Sequence, residues 1–187
     1  MAELDYFELF GIPRRWHVVL DELERRFHEQ SKLFHPDRHA QSDAPNRVKT
    51  ALASTNLNQA WRTLKAEIPR AEHLLKLEGI ELSDERRGHK VAPGFLMEIM
   101  ELREALMDAR VAGDAAKVSA LGGDVRARRE TIMQALDAAF TRYEQAGGDD
   151  DKKAALATAA DALVAERYYR RFLEEVEAFE EGREEQD

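Results

Sequence analysis

Apolar positions recur along this chain at spacings of three, four and seven, and no stretch shows the apolar–polar alternation of a strand. The pattern therefore predicts helices throughout. Leu20, Leu23, Phe27 and Phe34 form one amphipathic stripe behind Asp21, and Pro36 ends it because the residue before a proline is pushed out of the α region. Helical pattern resumes near Pro45 and Asn46, with Val48, Ala51, Leu52, Leu57, Trp61 and Leu64 along one broad face. A short helix is expected from Asp5 to Phe10, stopped by Gly11 with Pro13 beyond. Pro69 marks a new start, and Arg70 to Leu77 read as one more short helix before Gly79.

Three long helical segments follow, at about 94–112, 115–146 and 149–181. Gly113-Asp114 and Gly147-Gly148-Asp149 separate them, each offering a C-cap glycine and an N-cap aspartate. Links this short imply antiparallel neighbours, hence a three-helix bundle. Gly122-Gly123 predicts a kink or a short break inside the middle segment. The expected division is a domain over 1–77, a linker over 78–93 containing Gly79, Gly88 and Pro93, a bundle over 94–181 and a frayed acidic tail over 182–187.

Composition narrows the class. Of 187 residues, 43% are hydrophobic and 35% charged, which suits a soluble helical protein and excludes wholesale disorder. No apolar run approaches the roughly 20 residues that span a bilayer, so no membrane partner is expected. The opening MAELDYFELFG lacks the basic and apolar regions of a secretory signal. The absence of cysteine excludes disulfides, thiolate metal sites and cysteine nucleophiles, and fits a reducing cytoplasm. The net charge of −9 is uneven: residues 1–77 carry twelve Lys or Arg against eleven Asp or Glu, and the remainder sixteen against twenty-six. Neither half is basic enough for nucleic acid to be the main ligand.

Two places carry candidate chemistry. The first is His35-Pro36-Asp37, where a patterned helix runs out. Pro36 fixes φ and removes a donor, Asp37 offers a carboxylate to a cationic or hydrogen-bonding partner, and His35 can donate and accept. A metal reading from His28, His35 and His39 is weakened because Pro36 interrupts the helix that would align the last two. A hydrolase using His35 and Asp37 with a carboxylate from the acidic half is a rival that predicts turnover in isolation.

The second place begins at Phe95. Helical projection sends Phe95, Ile99, Leu102 and Leu106 to the core, and leaves Leu96, Met97, Met100 and Met107 outside it with Glu101, Glu104 and Asp108. Outward apolar residues edged by acids suit a binding surface. The simpler alternative is that Leu96 and Met107 widen the core stripe. A paired-carboxylate active site at Glu101 and Glu104 has no matching nucleophile nearby.

Asp5-Tyr6-Phe7-Glu8-Leu9-Phe10-Gly11-Ile12, the helix ending Phe34-His35-Pro36-Asp37-Arg38, and Asn58-Gln59-Ala60-Trp61-Arg62-Thr63-Leu64 together resemble the J-domain family of co-chaperones over about the first 77 residues. The resemblance implies a helical hairpin with the His-Pro-Asp loop at its tip. The loop and a basic face at Arg25, Arg26, Lys32 and Arg38 would engage a DnaK-type chaperone and stimulate its ATP hydrolysis. Arg38 stands where the family more usually has Lys, and Glu22, Glu24 and Glu29 dilute the basic face.

Phe95-Leu96-Met97-Glu98-Ile99-Met100-Glu101-Leu102-Arg103-Glu104, the upstream Pro69-Arg70-Ala71-Glu72-His73-Leu74-Leu75, and Arg171-Phe172-Leu173-Glu174 are similar to the narrower HscB family, J-type co-chaperones of iron–sulfur cluster assembly. That implies an all-α fold, an N-terminal J-domain hairpin plus a C-terminal three-helix bundle. It also implies a scaffold-binding patch at Leu96, Met97, Met100, Glu101, Glu104, Asp108 and Phe172, which presents the scaffold IscU to the chaperone HscA. Met100 replaces the family's usual Leu, and Asp108 its Glu. The expected protein works in the bacterial cytoplasm, without catalysis, cofactor or metal of its own. The alternative within the family is a J-domain protein serving a general chaperone and another client.

Overall fold

Asp5 caps the first helix, α1 (Tyr6–Phe10), accepting hydrogen bonds from the backbone N–H groups of Phe7 at 2.9 Å and Glu8 at 3.2 Å. Gly11, at φ 62°, closes the other end in the left-handed conformation. In this computed structural model residues 4–34, 44–82 and 93–184 are described. They also form α2 (Leu20–Leu33), α3 (Ala44–Lys65), α4 (Glu67–Leu77), α5 (Pro93–Val111), α6 (Ala115–Gln145) and α7 (Asp149–Glu184), and no strand occurs among them. The architecture is all-α. The chain divides into two compact units, Met1–Ile80 and Glu81–Asp187.

In the first unit, Phe7, Phe10, Leu23, Leu57, Ala60, Leu64, Leu74 and Leu75 make the core. Phe27 of α2 stacks on Trp61 of α3, with centroids 4.9 Å apart. Two polar residues are built into this core. His73 accepts the Tyr6 N–H on Nε2 at 3.2 Å and stacks on the Tyr6 ring at 4.3 Å. Arg70 donates to the Leu64 carbonyl at 2.6 Å, satisfying the end of α3, and lies 4.9 Å over the Trp16 ring. Burial holds its guanidinium below the usual arginine range.

Several expectations change here. Val48 and Leu52 are exposed rather than part of the α3 core face. Running antiparallel from the Phe27–Trp61 contact, α2 reaches only about as far as Thr55, so the first turns of α3 lie past its end. Helix α4 begins at Glu67, before Pro69; a proline in the first turn lacks only a donor that would be orphaned anyway. Asp21 lies inside the first turn of α2, where its charge suits the helix dipole.

In the second unit, Gly113 (φ 67°) ends α5, and Asp114 caps α6 by accepting from the Lys117 N–H at 3.0 Å. The expected break at Gly122-Gly123 does not occur, since α6 is continuous. Gly122 is buried instead against Val176 of α7, where a Cβ would sit 3.0 Å from Val176 Cγ1. Helix α7 continues to Glu184, past the expected boundary at 181. Its Ala155 and Ala159 are buried, as are Leu136, Ala139 and Phe140 of α6, and the two helices pack along each other. The buried Glu166 ties the same pair of helices, accepting two hydrogen bonds from Arg129 at 3.0 and 3.2 Å. Helix α5 has 19 residues against 31 and 36, so it covers only part of the α6–α7 hairpin.

Candidate functional site

His35, Pro36, Asp37 and Arg38 lie outside the described residues, as does His39. Of the remaining basic positions, Arg25 and Lys32 are exposed on α2, seven residues apart and so on one face. Arg26 is half-buried. Glu22 stands 3.9 Å from Arg25 and 3.6 Å from Arg26, so one carboxylate answers both guanidiniums. His28 is 3.6 Å from Glu24 on the same helix. No cluster of three His, Asp or Glu suited to a metal occurs among the described residues.

The α5 patch has a different character. Ile99, Leu102 and Leu106 are buried in one cluster with Val118, Val125 and Val176, while Phe95 packs at its edge. Turned outward, Leu96 keeps 39% of its surface exposed, Met97 64%, Met100 70% and Met107 61%. Leu96 and Met107 therefore do not widen the core. Glu101, Glu104 and Asp108 are exposed beside them and make no ion pair with any described residue.

Phe172 requires a correction. It is 1% exposed, in one cluster with Ile99, Leu102 and Leu106. It belongs beneath α5, and its ring does not reach the surface where a partner would touch it. Sequence reading missed this because a motif position carries no information on which way its side chain faces. It also missed Val111, the last residue of α5 and, among the described residues, the most exposed of the large apolar side chains. The signal was present, since Val111 follows Met107 by four residues.

Polar ties hold the two edges of α5. Arg103 donates to Glu175 of α7 at 2.9 Å, and Arg110 stands 4.0 Å from the same carboxylate. On the other edge Glu98 accepts from Arg128 of α6 at 2.5 Å and from the Tyr169 hydroxyl of α7 at 2.9 Å. Burial, then the bond to Glu98, pushes the Tyr169 hydroxyl up to about 12. Hydrogen bonds to Asp124 and Glu98 hold Arg128 above the usual arginine range. The helix is thus fixed from below and from both sides, with its outward face left open.

Among the described residues no helix is long and apolar enough to cross a membrane. What the geometry defines is an all-helical protein of two units, one of which offers an apolar, acid-edged helix face. A profile of the HSCB C-terminal oligomerisation domain matches residues 91–177. The co-chaperone protein HscB homolog of Neisseria gonorrhoeae (strain NCCP11945) is 35% identical over 139 residues, covering 74% of this chain and 83% of that protein. The chaperone HscB from Vibrio cholerae superposes with a TM-score of 0.72 at 30% identity, over 96% of this chain and 99% of that one. The human co-chaperone protein HscB gives a TM-score of 0.72 at 29% identity, over 95% and 83%. The chain belongs to the HscB co-chaperone family.

Proposed function

We propose that this chain is a two-site adaptor in iron–sulfur cluster assembly. One site, His35-Pro36-Asp37 with Arg25, Arg26, Lys32 and Arg38, stimulates ATP hydrolysis by an HscA-type chaperone. The other, the outward face of α5 with Leu96, Met97, Met100, Glu101, Glu104 and Asp108, holds an IscU-type scaffold and delivers it to the same chaperone. The observation that carries this reading is the row of exposed methionines and uncompensated acids on a helix whose other sides are fully engaged. Holding client and ATPase on one chain raises their effective concentration toward each other, so neither site needs high affinity alone. The chain performs no catalysis; its role is to time hydrolysis and supply cargo.

Steady-state ATPase of HscA with IscU and this protein tests the scheme. Asp37→Asn is expected to abolish stimulation while leaving fold and scaffold binding intact. Met97→Ala/Met100→Ala is expected to lose the scaffold-dependent synergy and keep the loop-dependent stimulation. If neither variant differs from the unmutated protein, the two-site scheme is wrong. The description of the matching profile as an oligomerisation domain favours one further reading, a second copy of this chain on the bundle. Sedimentation showing a monomer at every concentration tried would remove it.

A further inference from the structure

The apolar row on α5 does not end at Met100. Leu96, Met100, Met107 and Val111 fall within about 60° of arc and run about 22 Å along the helix. Val111 is 86% exposed, and neither it nor Met107 belongs to the core cluster. The two flanks of this row differ in charge. On one, Arg103 and Arg110 are answered by Glu175 within the bundle. On the other, Glu101, Glu104 and Asp108 stand along about 10 Å of helix with no described cation to meet them.

We infer that the docking face runs the full length of α5 to Met107 and Val111, and takes a segment of the scaffold that presents an apolar row edged on one side by Lys or Arg. This rests on the reading of α5 as the scaffold-docking face and says how far that face extends and what it selects. A row from Leu96 to Met100 alone spans about 6 Å, a single turn, which is short for a specific interface. Extension to Val111 adds a second exposed apolar pair, Met107 and Val111, beginning about 10 Å beyond Met100 on the same face. The unanswered acids repel one another and any acidic partner, and a cationic edge relieves both effects. Methionine side chains adapt to the partner's shape while the helix beneath them stays fixed.

The test is calorimetric titration of the full chain with an IscU-type scaffold. Met107→Ser/Val111→Ser is expected to weaken binding roughly tenfold, with the thermal melt unchanged because both residues are exposed. Glu101→Gln/Glu104→Gln/Asp108→Asn is expected to weaken binding at low salt and to flatten its salt dependence. If the Met107/Val111 variant binds as the unmutated protein does while Met97→Ala/Met100→Ala does not, the extension is overturned and the scaffold reading survives. If neither pair matters, both fall. A salt dependence unaltered by removing the three acids overturns the cationic edge.

Discussion

Consider alanine placed at each of the two adjacent glycines of α6. Both lie in helix interior, where alanine is favoured over glycine by about 1 kcal/mol through lost backbone freedom in the unfolded chain. At Gly123 the new methyl meets nothing within 4 Å, so Gly123→Ala is expected to stabilise by about 0.5 to 1 kcal/mol. At Gly122 it would stand 3.0 Å from Val176 Cγ1 and 3.3 Å from Arg126 Nη1. The arginine tip can swing away. Val176 cannot, because it is fully buried in the core cluster and β-branched, with few rotamers open to it. Overpacking of this kind costs about 1 to 3 kcal/mol, which outweighs the helix-propensity gain. Gly122→Ala should therefore destabilise, and the two variants should differ by about 1 to 3 kcal/mol. Urea denaturation of the full chain by far-ultraviolet circular dichroism measures the difference, and hydrogen exchange of the α6 and α7 amides locates it. Adding Val176→Ala to Gly122→Ala should recover part of the loss as a non-additive coupling. A Gly122→Ala protein as stable as Gly123→Ala would refute the argument that close approach of α7 is what requires glycine there.

Tyr169 and Phe172 give two further expectations. Because the folded-state pKa of Tyr169 is raised to about 12, its contribution to stability is present below the unfolded value near pH 10 and is lost as pH rises from about 10 to 12. Tyr169→Phe should remove up to about 2 kcal/mol of that alkaline loss, read from paired denaturation curves; equal alkaline slopes would sink the assignment. Phe172→Ala should cost the bundle about 3 to 5 kcal/mol by leaving a cavity, whereas Phe172→Leu should lose far less and bind scaffold almost normally. A Phe172 variant with unaltered stability and lost binding would return the ring to the contact surface.

Periodicity made most of the fold legible, because helices bury one face at fixed spacing and Ile99, Leu102 and Leu106 had no other reason to recur. Gly113 and Asp114 were legible for a different reason: few residue types satisfy the orphaned groups at a helix end. What escaped was whatever depends on the neighbour. Gly122 looks like a breaker until Val176 is seen beside it. Val48 and Leu52 look like core until α2 proves too short to cover them. Nothing in the sequence marks the polar His73 and Arg70 as buried, yet Tyr6, Trp16 and the Leu64 carbonyl give them partners in the core. In the candidate site, the outward direction of Met97, Met100 and Glu104 followed from projection alone. The orientation of Phe172 did not, since it depends on where α5 packs.

The outward side chains of α5 are exposed, but its backbone is held, because Phe172 fills the space beneath it and Phe95 packs edge-on against Tyr168 and Tyr169. Glu175 on one edge and Arg128 on the other fix the rotation of the helix about its own axis. A partner settling on this face orders methionine side chains, at about 0.5 to 1.5 kcal/mol each, and does not have to fold a helix. Substitutions beneath the face and on it should therefore act through different quantities. A change at Phe172 or Glu98 alters how well α5 is held, and appears first in stability. A change at Met97, Met100 or Met107 leaves the bundle as it was and appears in the dissociation rate, because these side chains pack against a partner only after encounter. A position such as Phe172 can thus matter to partner binding without ever touching a partner.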